Sequence, residues 1–177
     1  MNQINNSSKP KEYLYVDGYN IINHWDSLRE LSETSLEESR EKLMEILAEY
    51  HHYSNINIIL VFDSYAVRSD RQVDRFKGIE IVYTREFETA DQYIERMLDE
   101  YGRRRRIRVA TSDRVEQDII LSRGGTRISA RELEVEIYNA TKTIRRIAKR
   151  DNNINDVEIG RLDNQIIEML SDLKEEI

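Results

Sequence analysis

At 177 residues, with 39% hydrophobic and 34% charged side chains, the chain can bury one real core under a highly charged surface. It has no cysteine and only three histidines, which excludes disulfides and thiolate metal sites and leaves only a hard, oxygen-liganded cation. The net charge of −7 argues weakly against nucleic-acid binding, but residues 151–177 hold eight acids against two bases, so the first 150 residues carry only −1 and still contain the basic clusters Arg103–Arg106 and Arg145–Arg150.

Residues 1–11 (MNQINNSSKPK) are polar, contain the only proline and read as disordered. They lack the apolar core of a signal peptide, and no apolar run approaches the ~20 residues of a membrane span, so a cytoplasmic protein away from membranes is expected. A buried strand over 13–17 (YLYVD) ends on Asp17, where Gly18 suggests a sharp turn. A short helix or turn follows over 21–31. Ser35 and Glu38 form a capping box that opens a helix over 36–52, with Leu36, Leu43, Ile46, Leu47 and Tyr50 on one face. The second strand covers 57–63 and ends on Asp63. Residues 64–78 are polar and basic with little periodicity, and read as a loop.

The third strand covers 79–83. Thr89 and Gln92 make a second capping box for a helix over 90–101, with Asp91 in its first turn and Ile94, Leu98 and Tyr101 inward. A fourth strand over 106–111 leads to Asp113, and a helix over 114–122 stops at Gly124–Gly125. A short fifth strand over 126–128 precedes a long helix over 130–149, capped by Ser129 and Glu132. A last amphipathic helix is expected over 158–175. The chain thus divides into a disordered segment (1–11), an α/β domain (12–150) and an acidic helical extension (151–177).

Alternating strands and helices imply an α/β fold with a mostly parallel sheet of about five strands and helices on both faces. Ligands of such sheets sit outside the carboxyl ends of the strands. Asp17, Asp63 and Asp113 fall at three of those ends, and Asp91 opens a helix on the same rim. A single strand-end Asp is often only a helix cap. Four on one rim repel one another unless a cation lies between them, and Mg²⁺ or Mn²⁺ is the natural choice. Glu95, one turn after Asp91, is a candidate outer ligand; Asp118 is another, although it reads more readily as a plain surface acid. Tyr65, Arg68, Arg71, Arg75 and Lys77 interleave basic and aromatic side chains in the 64–78 loop, a composition suited to single-stranded RNA. His24, His51 and His52 have no partner pattern for base catalysis, and Trp25 reads as a core anchor.

The motifs VDGYN (16–20), VFD (61–63), ETADQYIE (88–95) and ATSD (110–113) occur in an order that resembles the YacP-like branch of the NYN-domain nucleases, within the PIN-like superfamily. The resemblance covers about residues 13–150. It implies a PIN-like α/β/α sandwich, Mg²⁺ or Mn²⁺, and endonucleolytic cleavage of RNA. For bacterial members it implies action on mRNA at the ribosome. Carried onto this chain, it makes Asp17, Asp91 and Asp113 the metal-binding acids and Asn20 the group that orients a phosphate or water. Asp63 ranks below them. Two rivals remain. One is the same fold holding RNA or the ribosome without cleaving; the other is a phosphatase, although VDGYN lacks the second Asp of a DxD nucleophile motif.

Overall fold

A computed structural model describes residues 11–64, 71–112, 115–144 and 146, with the backbone only at 115–117. Two compact units divide the chain, one ending at Ile137 and the other beginning at Tyr138. The described part of the second is helical over 138–144, where Thr143 donates to the Asn139 carbonyl.

In the first unit the elements run β1 (Glu12–Asp17), α1 (Gly18–His24), α2 (Asp26–Thr34), α3 (Leu36–Ser54), β2 (Asn57–Phe62), β3 (Gln72–Phe76), β4 (Ile79–Tyr83), α4 (Ala90–Tyr101), β5 (Arg106–Ala110), α5 (Val115–Ser122) and β6 (Thr126–Ile128). A further helix, α6, begins at 130. Six strands form one sheet in the order β3-β4-β2-β1-β5-β6, parallel except for β3. The mostly parallel α/β fold read from the sequence is the one present, with one more strand. Residues 72–76 read as loop in the sequence, but they pair antiparallel to β4 through a two-residue turn at Lys77–Gly78. Asp74 and Arg75 in its middle are exposed. An edge strand with little apolar content carries no burial signal, so its alternation is weak in the sequence.

Strand alternation sends successive side chains to opposite faces. Tyr15, Ile59, Val61, Val82, Ile107 and Val109 meet Tyr93, Ile94 and Leu98 of α4 and Ile120 of α5. Leu14, Val16, Ile58, Leu60 and Phe62 take the other face, which α1 and α3 cover with Ile21, Ile22, Leu43 and Leu47. Trp25 is the expected core anchor: it is 4% exposed and its indole donates to the Ala130 carbonyl (2.8 Å). The three helix starts for which caps are expected carry them. Ser35 accepts from Glu38 N–H, Thr89 and Gln92 form a full box, and Ser129 pairs with Glu132 in both directions. No helix among the described residues is long and apolar enough to cross a membrane.

Gly18 does not make the turn its composition suggested; it is the first residue of α1. It is needed for room. A Cβ there would lie 2.3 Å from Cε1 of Phe62, a fully buried ring that also packs against Tyr19 and stacks on Tyr83. Gly18→Ala is therefore expected to lower stability by about 1–3 kcal/mol through overpacking, read as a lower denaturation midpoint with an unchanged m-value. Wild-type stability in that variant would show that the ring has somewhere to go.

Candidate metal centre

The chain winds outward from β1 to β2 and β4, then returns across the sheet through α4 to β5 on the other side of β1. The winding therefore reverses between β1 and β5, the place at which parallel sheets of this kind bind ligands, outside the carboxyl ends of those strands. Asp17 ends β1 and caps α1 by accepting from Asn20 N–H (3.1 Å). The Asn20 side-chain carbonyl accepts from Ser112 N–H (2.9 Å), which ties α1 to the segment leaving β5. Asp63 follows β2, and its carboxylate accepts from Ala90 N–H at the start of α4. Asp91 is the second residue of α4.

These contacts bring Asp17, Asp63 and Asp91 to one rim. Asp17 is raised from the usual carboxylate range to about 7. Burial is the main cause, the charges of Asp91 and Asp63 and a hydrogen bond shared with Asp91 add to it, and the Asn20 N–H opposes it. Asp63 is also raised, first by burial and then by Asp91, against the Ala90 N–H. None of the main influences on Asp17 is a basic side chain. Oδ1 of Asp91 is buried without a hydrogen-bond partner among the described residues. A buried carboxylate oxygen with no donor, beside a carboxyl that resists ionising, is what a hard divalent cation would satisfy. Among the described residues no three His, Cys, Asp or Glu side chains form a ready ligand set. Mg²⁺ needs fewer, since it is usually held by one or two carboxylates with water and substrate phosphate as the remaining ligands.

The other candidates are placed differently. Asp113, Tyr65 and Arg68 lie outside the described residues. Glu95 faces Arg123, which pairs with its carboxylate (3.3 Å) and donates to its carbonyl. Arg71 is clamped on Glu88 (2.9 and 3.0 Å) and lies over the Tyr93 ring. Arg75 pairs in register with Glu80, toward the end of the sheet opposite the acids, and lines a cleft of about 270 Å³ there with Tyr13, Asn57 and Arg105. Lys77 sits in the hairpin turn at that same end and pairs with Glu45 (2.7 Å). The register of β3 thus carries Arg75 and Lys77 away from the rim that a loop had been expected to border. Asp118 is exposed, as read.

Glu88 belongs to the ETAD motif but was not singled out as a site residue. It is 9% exposed and receives Arg71, Arg96 and Arg85. Burial would raise its carboxyl, but hydrogen bonds from Arg71, Arg96 and the Arg85 backbone hold it below the usual range. The signal available in the sequence was an acid just before a helix cap with basic residues on both sides.

The raised carboxyl of Asp17 gives a pH dependence whose sign is fixed. The folded state holds this proton more tightly than the unfolded chain, so the stability it contributes is complete below about pH 4 and lost as pH rises to about 7. With metal removed by EDTA, thermal stability should fall between pH 5 and 7.5, with a slope of at most about 1.4 kcal/mol per pH unit for one proton. Asp17→Asn should flatten that slope, and comparison with it removes the contribution of the three histidines. Equal slopes in the two proteins would contradict the raised value.

Comparison with known proteins places the chain in a family. The model of the YacP-like NYN domain matches residues 14–175. The YacP protein of Bacillus subtilis (strain 168) is 37% identical over 140 residues, covering 78% of this chain and 82% of the relative. The crystal structure of Rae1 (YacP) from Bacillus subtilis superposes with a TM-score of 0.68 at 32% identity, covering 92% of this chain and 94% of that one. A crystal structure of a tryptophan-to-leucine mutant of the same Bacillus subtilis protein gives 0.65 at 38% identity, covering 76% and 79%. The chain belongs to the family of YacP-like NYN domains.

Proposed function

We propose that this protein is a divalent-metal-dependent endoribonuclease. Its family supports an RNA-related, nuclease-type function, and NYN and PIN-like nuclease domains generally use divalent metals. The observation that carries the finer reading is the pair Asp17 and Asp91, crowded together with no basic side chain among the main influences on Asp17 and with one buried oxygen left without a donor.

In this reading Asp17 and Asp91 hold Mg²⁺ or Mn²⁺, and Asp113 completes the set. An ion held there would supply positive charge to the scissile phosphate and lower the pKa of an attacking water. Asp63 acts one step back: by accepting from Ala90 N–H it fixes the start of α4, and with it Asp91. Asn20 spends its carbonyl on Ser112, which leaves its amide hydrogens to orient a phosphate oxygen or a water. Glu95 is not included, because Arg123 already neutralises it. Asp17, Asp63 and Asn20 each have a structural partner, so the geometry is held before any ligand arrives.

The substrate setting that the family resemblance implies is mRNA at the ribosome, and co-sedimentation of the protein with ribosomes tests that part separately. The acidic segment 151–177 is read as an accessory to catalysis; the family match extends through most of it.

Asp17→Asn and Asp91→Asn should each lower Mg²⁺- or Mn²⁺-dependent cleavage of single-stranded RNA by more than about a hundredfold, with the fold retained. Both changes keep the side chain's size and remove the charge that holds the ion. Cleavage at the wild-type rate in either purified variant, or cleavage that persists in EDTA, would overturn the assignment.

A further inference from the structure

Phe87 is 93% exposed, the most exposed of the large hydrophobic side chains described. Its backbone has φ +61°, the left-handed region, which is a strained outlier for a bulky residue. A strained, solvent-facing ring would relax if its loop were loose. This loop is held on both sides. Before the ring, Thr84 is buried, its N–H donates to the Phe62 carbonyl (3.0 Å), and its hydroxyl accepts from Ser64 N–H (3.1 Å). After it, Glu88 is fixed by three arginines, and Thr89 caps α4.

The loop also has a definite place. It connects the carboxyl end of β4 to the first turn of α4, so Phe87 stands four residues before Asp91 on the rim that carries Asp17 and Asp63. Single exposed apolar residues are common and mean little. This one combines near-complete exposure, backbone strain and a rigid mount beside a crowded acidic site. Charge cannot be its purpose, since a phenyl ring offers only a flat apolar face. The ligand chemistry that pairs such a face with a phosphate-handling site is an unstacked nucleobase.

We propose that Phe87 is a base-stacking platform, a subsite that holds one base of single-stranded RNA beside the acidic rim. This rests on the RNA reading of that rim. The ring would position the strand and takes no part in the chemistry.

The test measures binding of a fluorescein-labelled, mixed-sequence 10-nucleotide RNA by anisotropy in EDTA, together with thermal unfolding. Phe87→Ala should raise Kd about 5- to 150-fold, the range for one base stack on an aromatic ring. The salt dependence of binding should keep its slope, because no phosphate contact is lost. Phe87→Tyr should restore affinity, whereas Phe87→Leu should not. Phe87→Gly should bind as weakly as Phe87→Ala yet melt about 2–4 °C above wild type, because glycine relieves the positive φ. In Phe87→Trp, emission should be quenched by RNA over the same concentrations that raise anisotropy; the other tryptophan, Trp25, is buried. Wild-type affinity in Phe87→Ala, or full rescue by Phe87→Leu, would overturn the proposal, the latter pointing to a generic apolar contact with a protein partner. If wild type cleaves RNA while Phe87→Ala binds normally, only this proposal fails. If wild type neither binds nor cleaves RNA, the nuclease reading fails with it.

Discussion

Carboxylate crowding at the reversal of the sheet's winding is the constraint around which this molecule is arranged. Asp17 ends the central strand, and α4 returns across the sheet to set Asp91 near enough for its charge to raise the Asp17 carboxyl. Burying two acids together opposes folding unless they are partly neutralised by protons, hydrogen bonds or a cation. The structure supplies some of this through backbone donors. Asn20 N–H reaches Asp17 and Ala90 N–H reaches Asp63. The cost that remains is opposed by the core beneath, where Leu14, Val16, Leu60 and Phe62 are fully buried and fix the strands whose ends carry the acids. In the proposed function such a rim has a use that a neutral one lacks, since acids already gathered there would take a hard cation with little reorganisation.

The neighbouring loop shows that this lack of basic partners is local and not a shortage of basic residues. Three arginines converge on Glu88, three residues before Asp91. Arg71 and Arg96 also lie over the Tyr93 ring of α4. One carboxylate is therefore held well ionised and structural, while Asp17, Asp63 and Asp91 beside it have no basic partner among the described residues. The same pairing logic explains Glu95, which stands one helical turn beyond Asp91 and is claimed by Arg123. Neutralised acids stiffen the frame. The acids left without a basic partner are the ones available for binding, and the proposed metal site rests on that difference.

Rigidity on this rim has a second consequence. Asn20 bridges α1 to Ser112, Asp63 anchors the start of α4, and Glu88 with Thr84 fixes the loop between β4 and α4. A site supported in this way can hold a strained residue such as Phe87 that a mobile loop would let relax. It also means that substitutions in the supporting shell, Asp63 and Glu88 among them, would act through geometry and not through direct chemistry.

Much of this was written locally. The apolar runs ending in Asp17 and Asp63, the capping boxes at Ser35, Thr89 and Ser129, and the alternation of strand and helix depend on neighbours within a few residues, so the sequence alone specified most of the elements, the mostly parallel sheet and the approach of Asp17, Asp63 and Asp91 on one edge. Interactions between distant residues could not be read in the same way. That β3 pairs at the sheet edge, that Arg75 and Lys77 stand at the far end of the sheet, that Arg71 and Glu95 are already paired, and that Gly18 leaves room for the Phe62 ring all follow from register and crossover. An ionisable side chain looks the same in sequence whether it is free or engaged. Its partner is chosen when the sheet closes and α4 crosses it, and only then does an acid become either a brace or a ligand.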